Sequence, residues 1–295
     1  MRTEDTSSSL RIGFIGAGRV ASALARGFAR AGYAVTAVAS RSGTSARSLA
    51  RAVPGCRAYD GAQAAADRAD LVFLTVPDDE IARVAAEIAW PRGGAAVHCS
   101  GATGVDALAP AARAGAQTGG FHPLQTFTAP ETALAGLRRC VVAIEAEEPL
   151  AGRLRALASG LGARPIRLPP GTRALYHGAG SFAASFVVAL LHEAVQLWRG
   201  FGVPEEEALA ALLPLARGTL DAVAELGTVR ALAGPISRGD VGTVVKHVQA
   251  FAERDRSTLD LYRVLARRTV PIALAKGALT PEQAAELTRI LGAAD

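Results

Sequence analysis

The sequence predicts an α/β domain followed by an all-α domain, and three observations carry that expectation. A glycine-rich turn closes a five-residue apolar run close to the N-terminus. Continuous apolar runs alternate with helical patterns from Leu10 to Leu168. Beyond Pro169-Pro170-Gly171 the strand patterns stop and only helical ones continue. Strands buried on both faces and separated by helices indicate a mostly parallel sheet between two helical layers. The boundary is therefore placed at 169, giving residues 1–9 as a polar frayed tail, 10–168 as the α/β domain and 169–295 as the helical domain.

The elements follow in order. Strands are expected at Arg11–Ile15, Ala34–Ala39, Leu71–Val76 (stopped by Pro77), Ala95–Cys99, Cys140–Ile144 and Arg164–Leu168, with a helix over Val20–Ala31. The segment Phe121-His122-Pro123-Leu124-Gln125-Thr126-Phe127 follows a Gly-Gly pair and reads as a rigid loop. Helices are expected over Thr172–Phe201, Pro204–Leu226, Asp240–Leu265 and Pro281–Leu291, with Thr172 and Asp240 as N-caps.

Composition removes several function classes. Half of the 295 residues are apolar and 20% are charged, so the chain can bury a core. The net charge of +5 is small for this length, the arginines are scattered, and aromatics are only 5%, which argues against a nucleic-acid surface. Three widely spaced cysteines and no C-x-x-C pair fit a reducing cytoplasm rather than a disulfide framework or a zinc ribbon. No His/Cys/Asp/Glu group has metal-ligand spacing, so no metal is expected. The apolar run Gly178–Leu191 is too short to span a bilayer, and the polar N-terminus lacks a signal-peptide core.

Gly16-Ala17-Gly18-Arg19-Val20-Ala21 is G-x-G-x-x-A between a strand and a helix, the context of a dinucleotide-binding (Rossmann) fingerprint. Gly16 permits the tight turn, Gly18 lets a pyrophosphate reach the helix N-terminus, and Ala21 permits close helix–sheet packing. The second strand ends at Ser40-Arg41-Ser42. An NAD site needs an acid there, but no Asp or Glu occurs between Asp5 and Asp60, a window holding eight arginines. Arg41, flanked by two hydroxyls, matches a 2′-phosphate, so the expected cofactor is NADP(H). Thr75, Val76 and Pro77 end the strand that begins at Leu71 and should border the ribose or nicotinamide; Ser100, in His98-Cys99-Ser100-Gly101, should contact the nicotinamide amide or the substrate. Asp79 reads as a helix cap.

With these motifs in hand, the chain resembles a family of NADP-dependent oxidoreductases in the 6-phosphogluconate-dehydrogenase-like superfamily, whose C-terminal half is a domain of unknown function. The matching segments are Gly16–Ala21, Thr75–Asp79, His98–Ala102, Phe121–Phe127, Tyr176-His177-Gly178 and Gly234–Asp240, in order along nearly the whole chain. Relatives in the superfamily include ketopantoate reductase and pyrroline-carboxylate reductase. The resemblance implies a Rossmann domain, a helical second domain, a homodimer built through it, and a substrate cleft between the domains.

Reduction of a carbonyl needs a proton donor near the developing alkoxide. His177, Ser181 and Ser185 are spaced i, i+4, i+8, one polar stripe on an otherwise apolar helix. In the ketopantoate-reductase relatives the corresponding helix carries a catalytic Lys and two Asn at this spacing; here His and two Ser stand in their place. His177 is the first choice as proton donor and His122 its rival, because a residue before proline is held out of the α region and its direction is set. Gln125 and Thr126 can donate to a carboxylate or carbonyl. Arg238, in Gly234–Asp240, is the natural anchor for a small anionic substrate, since a guanidinium grips a carboxylate bidentately. The expected activity is NADPH-dependent reduction of a small, ketopantoate-like 2-oxo acid. The alternatives are a cyclic-imine reductase or a non-catalytic NADP-binding sensor.

Overall fold

The computed structural model describes residues 10–127 and 130–292, which divide after Ser185 into two compact units. The tail expected over residues 1–9 lies outside the described residues.

The first unit runs β1 (Arg11–Ile15), α1 (Arg19–Arg30), β2 (Ala34–Ala39), α2 (Gly43–Arg51), β3 (Arg57–Tyr59), α3 (Ala62–Ala66), β4 (Leu71–Leu74), α4 (Ile81–Glu87), β5 (Ala95–His98), α5 (Ala109–Arg113), β6 (Gln117–Leu124), α6 (Pro130–Leu137), β7 (Val141–Ala146), α7 (Leu150–Gly160), β8 (Arg164–Arg167) and α8 (Arg173–Ala183). The eight strands form one sheet in the order β3-β2-β1-β4-β5-β6-β7-β8, and only the β6–β7 pairing is antiparallel. β4 is buried at every position, as a central strand covered on both faces must be. On one face Phe14, Phe28, Phe73 and Phe121 form a chain of rings; Phe73 lies 5.3 Å from Phe14, 5.5 Å from Phe28 and 5.4 Å from Phe121. Fully burying each such ring contributes about 1.5–3 kcal/mol, which pins the register of β1, β4 and β6.

Two strands escape the sequence pattern. β3 is a three-residue edge strand, half exposed. β6 contains Gly119, Gly120 and Pro123, residues with little strand propensity, so the segment taken for a loop at Phe121–Leu124 is strand. β5 pairs with β6 only as far as Gly120, and Pro123 lies beyond, where one side of the strand is no longer paired and a residue lacking an N–H is tolerated.

The helix expected over Thr172–Phe201 is two helices. Ala184 has φ −125° and ψ −85°, outside the helical region, and separates α8 from α9 (Ser185–Arg199). His177 and Ser181 therefore share a helix face, whereas Ser185 starts the next helix and the three-residue stripe is broken. Thr172 does sit at the N-cap, but its hydroxyl donates to the Pro169 carbonyl at 2.6 Å and caps nothing. α8 belongs to the first unit, although the sequence placed the start of the helical domain before it.

The second unit continues with α10 (Glu205–Arg230), α11 (Val241–Arg254), α12 (Arg256–Ala275) and α13 (Pro281–Leu291). Asp240 caps α11 by accepting from Thr243 N at 3.0 Å. Asp255 accepts from Ser257 and Thr258 amides and starts α12, which divides the helix expected over Asp240–Leu265. Thr280 and Gln283 form a capping box at α13. Val244, Ala273, Leu287 and Leu291 are the centre of this unit's core. α9 and α10 contribute little to it: Val195 and Ala208 are their only buried residues, and Leu215 and Val188 are 69% and 68% exposed.

Candidate functional site

The first unit presents a groove of about 640 Å³ at the carboxyl ends of β1, β2 and β4. Its walls include Gly16, Ala17 and Gly18 from the first turn, Ser40 and Arg41 from the end of β2, and Thr75, Val76 and Pro77 from the end of β4. Gly16 has φ +101°, and a side chain there would come within 2.6 Å of the Thr75 carbonyl carbon, so only glycine fits. The Thr75 hydroxyl donates to the Gly16 carbonyl at 3.0 Å and locks the two loops together. No side chain caps α1, and nothing stands within 4 Å of where a Gly18 side chain would be. The free N–H groups of that turn thus open onto the groove, the arrangement that receives a pyrophosphate. The groove's size and the placement of Arg41 fit a dinucleotide.

The acid-free stretch of sequence does not make the groove acid-free. Asp60, Glu80 and Glu87 line it from the end of β3 and from the turn and helix of α4. Glu80 and Glu87 are both bound by Arg83, and the hydrogen bond from Arg83 holds the Glu80 carboxyl below the usual range. Ser42 caps α2, accepting from Ser45 N at 3.3 Å, so Ser40, Arg41 and Gly43 form this part of the wall. Arg19 is turned aside toward the Phe127 carbonyl at 3.5 Å.

A second constellation gathers at the ends of β5, β6 and β7 and the first turns of α8. His122 Nδ1 and the Tyr176 hydroxyl are 2.9 Å apart, and the His122 and His177 rings stand edge to face with centroids 5.9 Å apart. Gly101 lies against both: a side chain there would meet His177 Cδ2 and come within 2.9 Å of His122 Nε2. The Ser100 hydroxyl donates to Asp78 at 2.6 Å and accepts from the Ala102 and Thr103 amides. It therefore staples the loop after β5 to the loop after β4; Asp79, expected as a helix cap, lies inside the 3-10 turn Asp78–Glu80 and caps neither that turn nor α4. Beneath this loop Arg173, 3% exposed, donates to Glu145 of β7 and, at 2.7 Å, to the Ser100 carbonyl. Burial and the neighbouring His177 and Arg173 charges lower His122 to about 4, and burial pushes Tyr176 up to about 12. Both groups are neutral at pH 7. His98 points into the protein, fully buried; its Nδ1 accepts from Ser100 N at 3.2 Å, and burial lowers it to about 4.

Of the residues singled out in the sequence, the first groove gathers Gly16, Ala17, Gly18, Ser40, Arg41, Thr75, Val76 and Pro77, and the second cluster joins His122, His177 and Ser100. Gln125 and Thr126 are exposed just past β6, where the Gln125 side chain accepts from Thr126 N at 2.7 Å. Arg238 is exposed in the second unit, at the end of a single 3-10 turn preceding Asp240. Arg83, Glu80, Glu145, Arg173 and Tyr176 were not foreseen as site residues. Arg173 and Tyr176 carried one signal: they share the helix turn of His177. Glu145 carried none. Among the described residues no group of three or more His, Cys, Asp or Glu side chains is placed to hold a metal ion.

Comparison with known proteins agrees with this architecture. Residues 2–123 match the model of a Rossmann-like domain, and residues 140–269 match that of a domain of unknown function, DUF2520. No protein of curated function matches the sequence. Among solved structures, a Bacteroides fragilis protein assigned as a candidate NADP oxidoreductase is similar at 26% identity, TM-score 0.71, over 89% of this chain and 98% of its own. A reductive aminase from Aspergillus terreus in complex with NADPH and ethyl levulinate is similar at 17% identity, TM-score 0.66, over 94% and 98%. The 1-pyrroline-5-carboxylate reductase of Streptococcus pyogenes is similar at 14% identity, TM-score 0.63, over 92% and 99%. At these last two identities the likeness is one of fold. With a dinucleotide groove in its first unit and a helical second unit, the chain is similar to a Rossmann-like domain over residues 2–123 and to DUF2520 over residues 140–269.

Proposed function

We propose that the protein is an NADPH-dependent reductase of a small anionic substrate bearing a polarised C=O or C=N bond. The observation that carries this reading is the His122–Tyr176–His177 cluster, built in the same unit as the dinucleotide groove and linked to its β4 loop by the Ser100–Asp78 hydrogen bond. Arg41 with Ser40 receives the 2′-phosphate, and the first turn of α1 receives the pyrophosphate. The bound cofactor supplies a hydride. His177, the exposed ring of the pair, delivers the proton to the reduced oxygen or nitrogen. His122 and Tyr176 form a neutral hydrogen-bonded pair behind it that fixes its surroundings.

A 2-oxo acid, ketopantoate-like, is the first substrate class. A cyclic imine is the second, and the neutrality of His122 and Tyr176 favours it: an iminium arrives already protonated and asks less of an acid. Turnover of NADPH with a panel of 2-oxo acids and cyclic imines tests both. Tight NADPH binding with no turnover across the panel would leave a sensor in place of an enzyme.

We also propose a homodimer in the cytoplasm, assembled through the helical unit. The stretch Arg173–Arg199 is apolar and long enough to cross a membrane by length and composition. Its first residue, however, is a buried arginine in an ion pair, and the helix is broken at Ala184. Coverage by a second copy answers the exposure of α9 and α10 without burying that charge in lipid. Light scattering at micromolar concentration should give about 60 kDa, twice the 30.3 kDa of one chain; a 30 kDa species would count against it.

A further inference from the structure

We propose that Arg173 is the positioning residue of the reductase site: it clamps the first turn of α8 to the ends of β5 and β7, across β6, and so sets the geometry of Tyr176 and His177 against His122. This deepens the proposed function and rests on it for its catalytic meaning. The geometry is specific. Arg173 occupies the first position of α8, and Tyr176 and His177 follow at i+3 and i+4, on the same helix face. Its Nε donates to Glu145 of β7 and its Nη1 to the Ser100 carbonyl at the end of β5. Its Nη2 lies over Gly120 of β6, where any side chain would collide with the guanidinium. Gly120 is paired with His98 and is two residues from His122. One planar fork thus spans β5, β6 and β7, the strands that carry Ser100, His122 and Glu145. Lysine, a point charge on a flexible stem, lacks the rigid fork that reaches these two partners through separate nitrogens.

The clamp is buried, which sets it apart from a surface ion pair. Arg173 and Glu145 are 3% and 13% exposed. Burying a guanidinium is costly and is offset only by a paired charge and hydrogen bonds, which Glu145 and the Ser100 carbonyl supply, whereas helix docking elsewhere in this unit uses apolar contacts. The same charge acts on the rings. His122 is faced by Arg173, Tyr176 and His177 from α8, by Asp78 from the β4 loop and by His98 from β5. Arg173 opposes protonation of His122, so removing its charge must make His122 easier to protonate.

The test uses the full-length protein with Arg173→Gln, Arg173→Lys and Glu145→Gln. It reads amide hydrogen exchange of residues 173–183, the NMR titration of the His122 ring, and NADPH affinity. Arg173→Gln should speed exchange in α8 at least tenfold and raise the His122 midpoint by at least one pH unit, with the NADPH Kd within twofold of wild type. Arg173→Lys should keep the low His122 midpoint but lose much of the α8 protection, because it keeps the charge and loses the fork. Glu145→Gln should lie between wild type and Arg173→Gln in exchange. The idea is overturned if α8 exchange and the His122 titration are unchanged in Arg173→Gln, or if protection falls equally over β1–β5, which is the mark of general destabilisation. Should Arg173→Gln fail to fold, the Lys and Glu145→Gln variants decide by the same readouts. None of these readouts needs a substrate, so failure of the clamp and failure of the reductase reading are distinguishable.

Discussion

Replacing Arg41 by alanine should erase the protein's preference for NADPH over NADH. Arg41 lines the groove beside Ser40 and makes no hydrogen bond or ion pair with an acid among the described residues. Glu80 is within electrostatic reach of it but is bound by Arg83, so Arg41 is left available for an anion. A charge-assisted hydrogen bond to a phosphate contributes about 1.5–3 kcal/mol, or about one to two decades of affinity. The groove is open, so the figure belongs at the lower end and should shrink as salt is raised. Wild type should therefore bind NADPH at least tenfold more tightly than NADH, and Arg41→Ala should bring the ratio near one by weakening NADPH alone. Titration of both nucleotides by cofactor fluorescence or calorimetry measures this directly. Equal affinities in the wild type, or a preference that survives in Arg41→Ala, would refute the assignment of Arg41 to the 2′-phosphate.

Three further outcomes are expected. Gly101→Ala should lower kcat by about 10²–10⁴ with little change in NADPH affinity, because the new methyl displaces His177 and presses on His122; wild-type kcat would show that the ring geometry does not matter. His177→Gln should lower kcat by a similar factor; if it stays near wild type while His122→Gln loses activity, the proton donor is His122. Acid should destabilise the fold between pH 6.5 and 4. Burial, with nearby positive charge, holds His98 and His122 at about 4, whereas in the unfolded chain each takes a proton near 6.5. The unfolded state then binds more protons in that window, so this stability is present above pH 6.5 and is lost as pH falls to 4, by up to about 3 kcal/mol per ring. Thermal melts should show a shallower slope in His122→Gln, and a melting temperature flat from pH 7 to 4.5 would contradict the buried, neutral rings.

What the sequence determined by itself was local or periodic. Gly16 and Gly18 announced the nucleotide turn because a turn's backbone demands are met within a few residues. β1, β2 and β4 showed as apolar runs because both their faces are buried. Asp240 could be named as a cap because its partner is three residues away. Where the decisive contact is distant in sequence, the reading stopped. β6 was hidden because its Gly119, Gly120 and Pro123 are chosen for close approach and for a free edge, not for strand propensity. The break at Ala184 has no glycine or proline to mark it, so His177 and Ser185 looked like parts of one stripe. The groove's acids and the Arg173 clamp belong wholly to the tertiary structure. Arg173 lies 28 residues from Glu145 and 73 from Ser100, and only the strand order of the sheet brings those partners together. A buried ion pair of this kind leaves no periodic trace, because it depends on which strand ends become neighbours and not on the residues beside it in the chain.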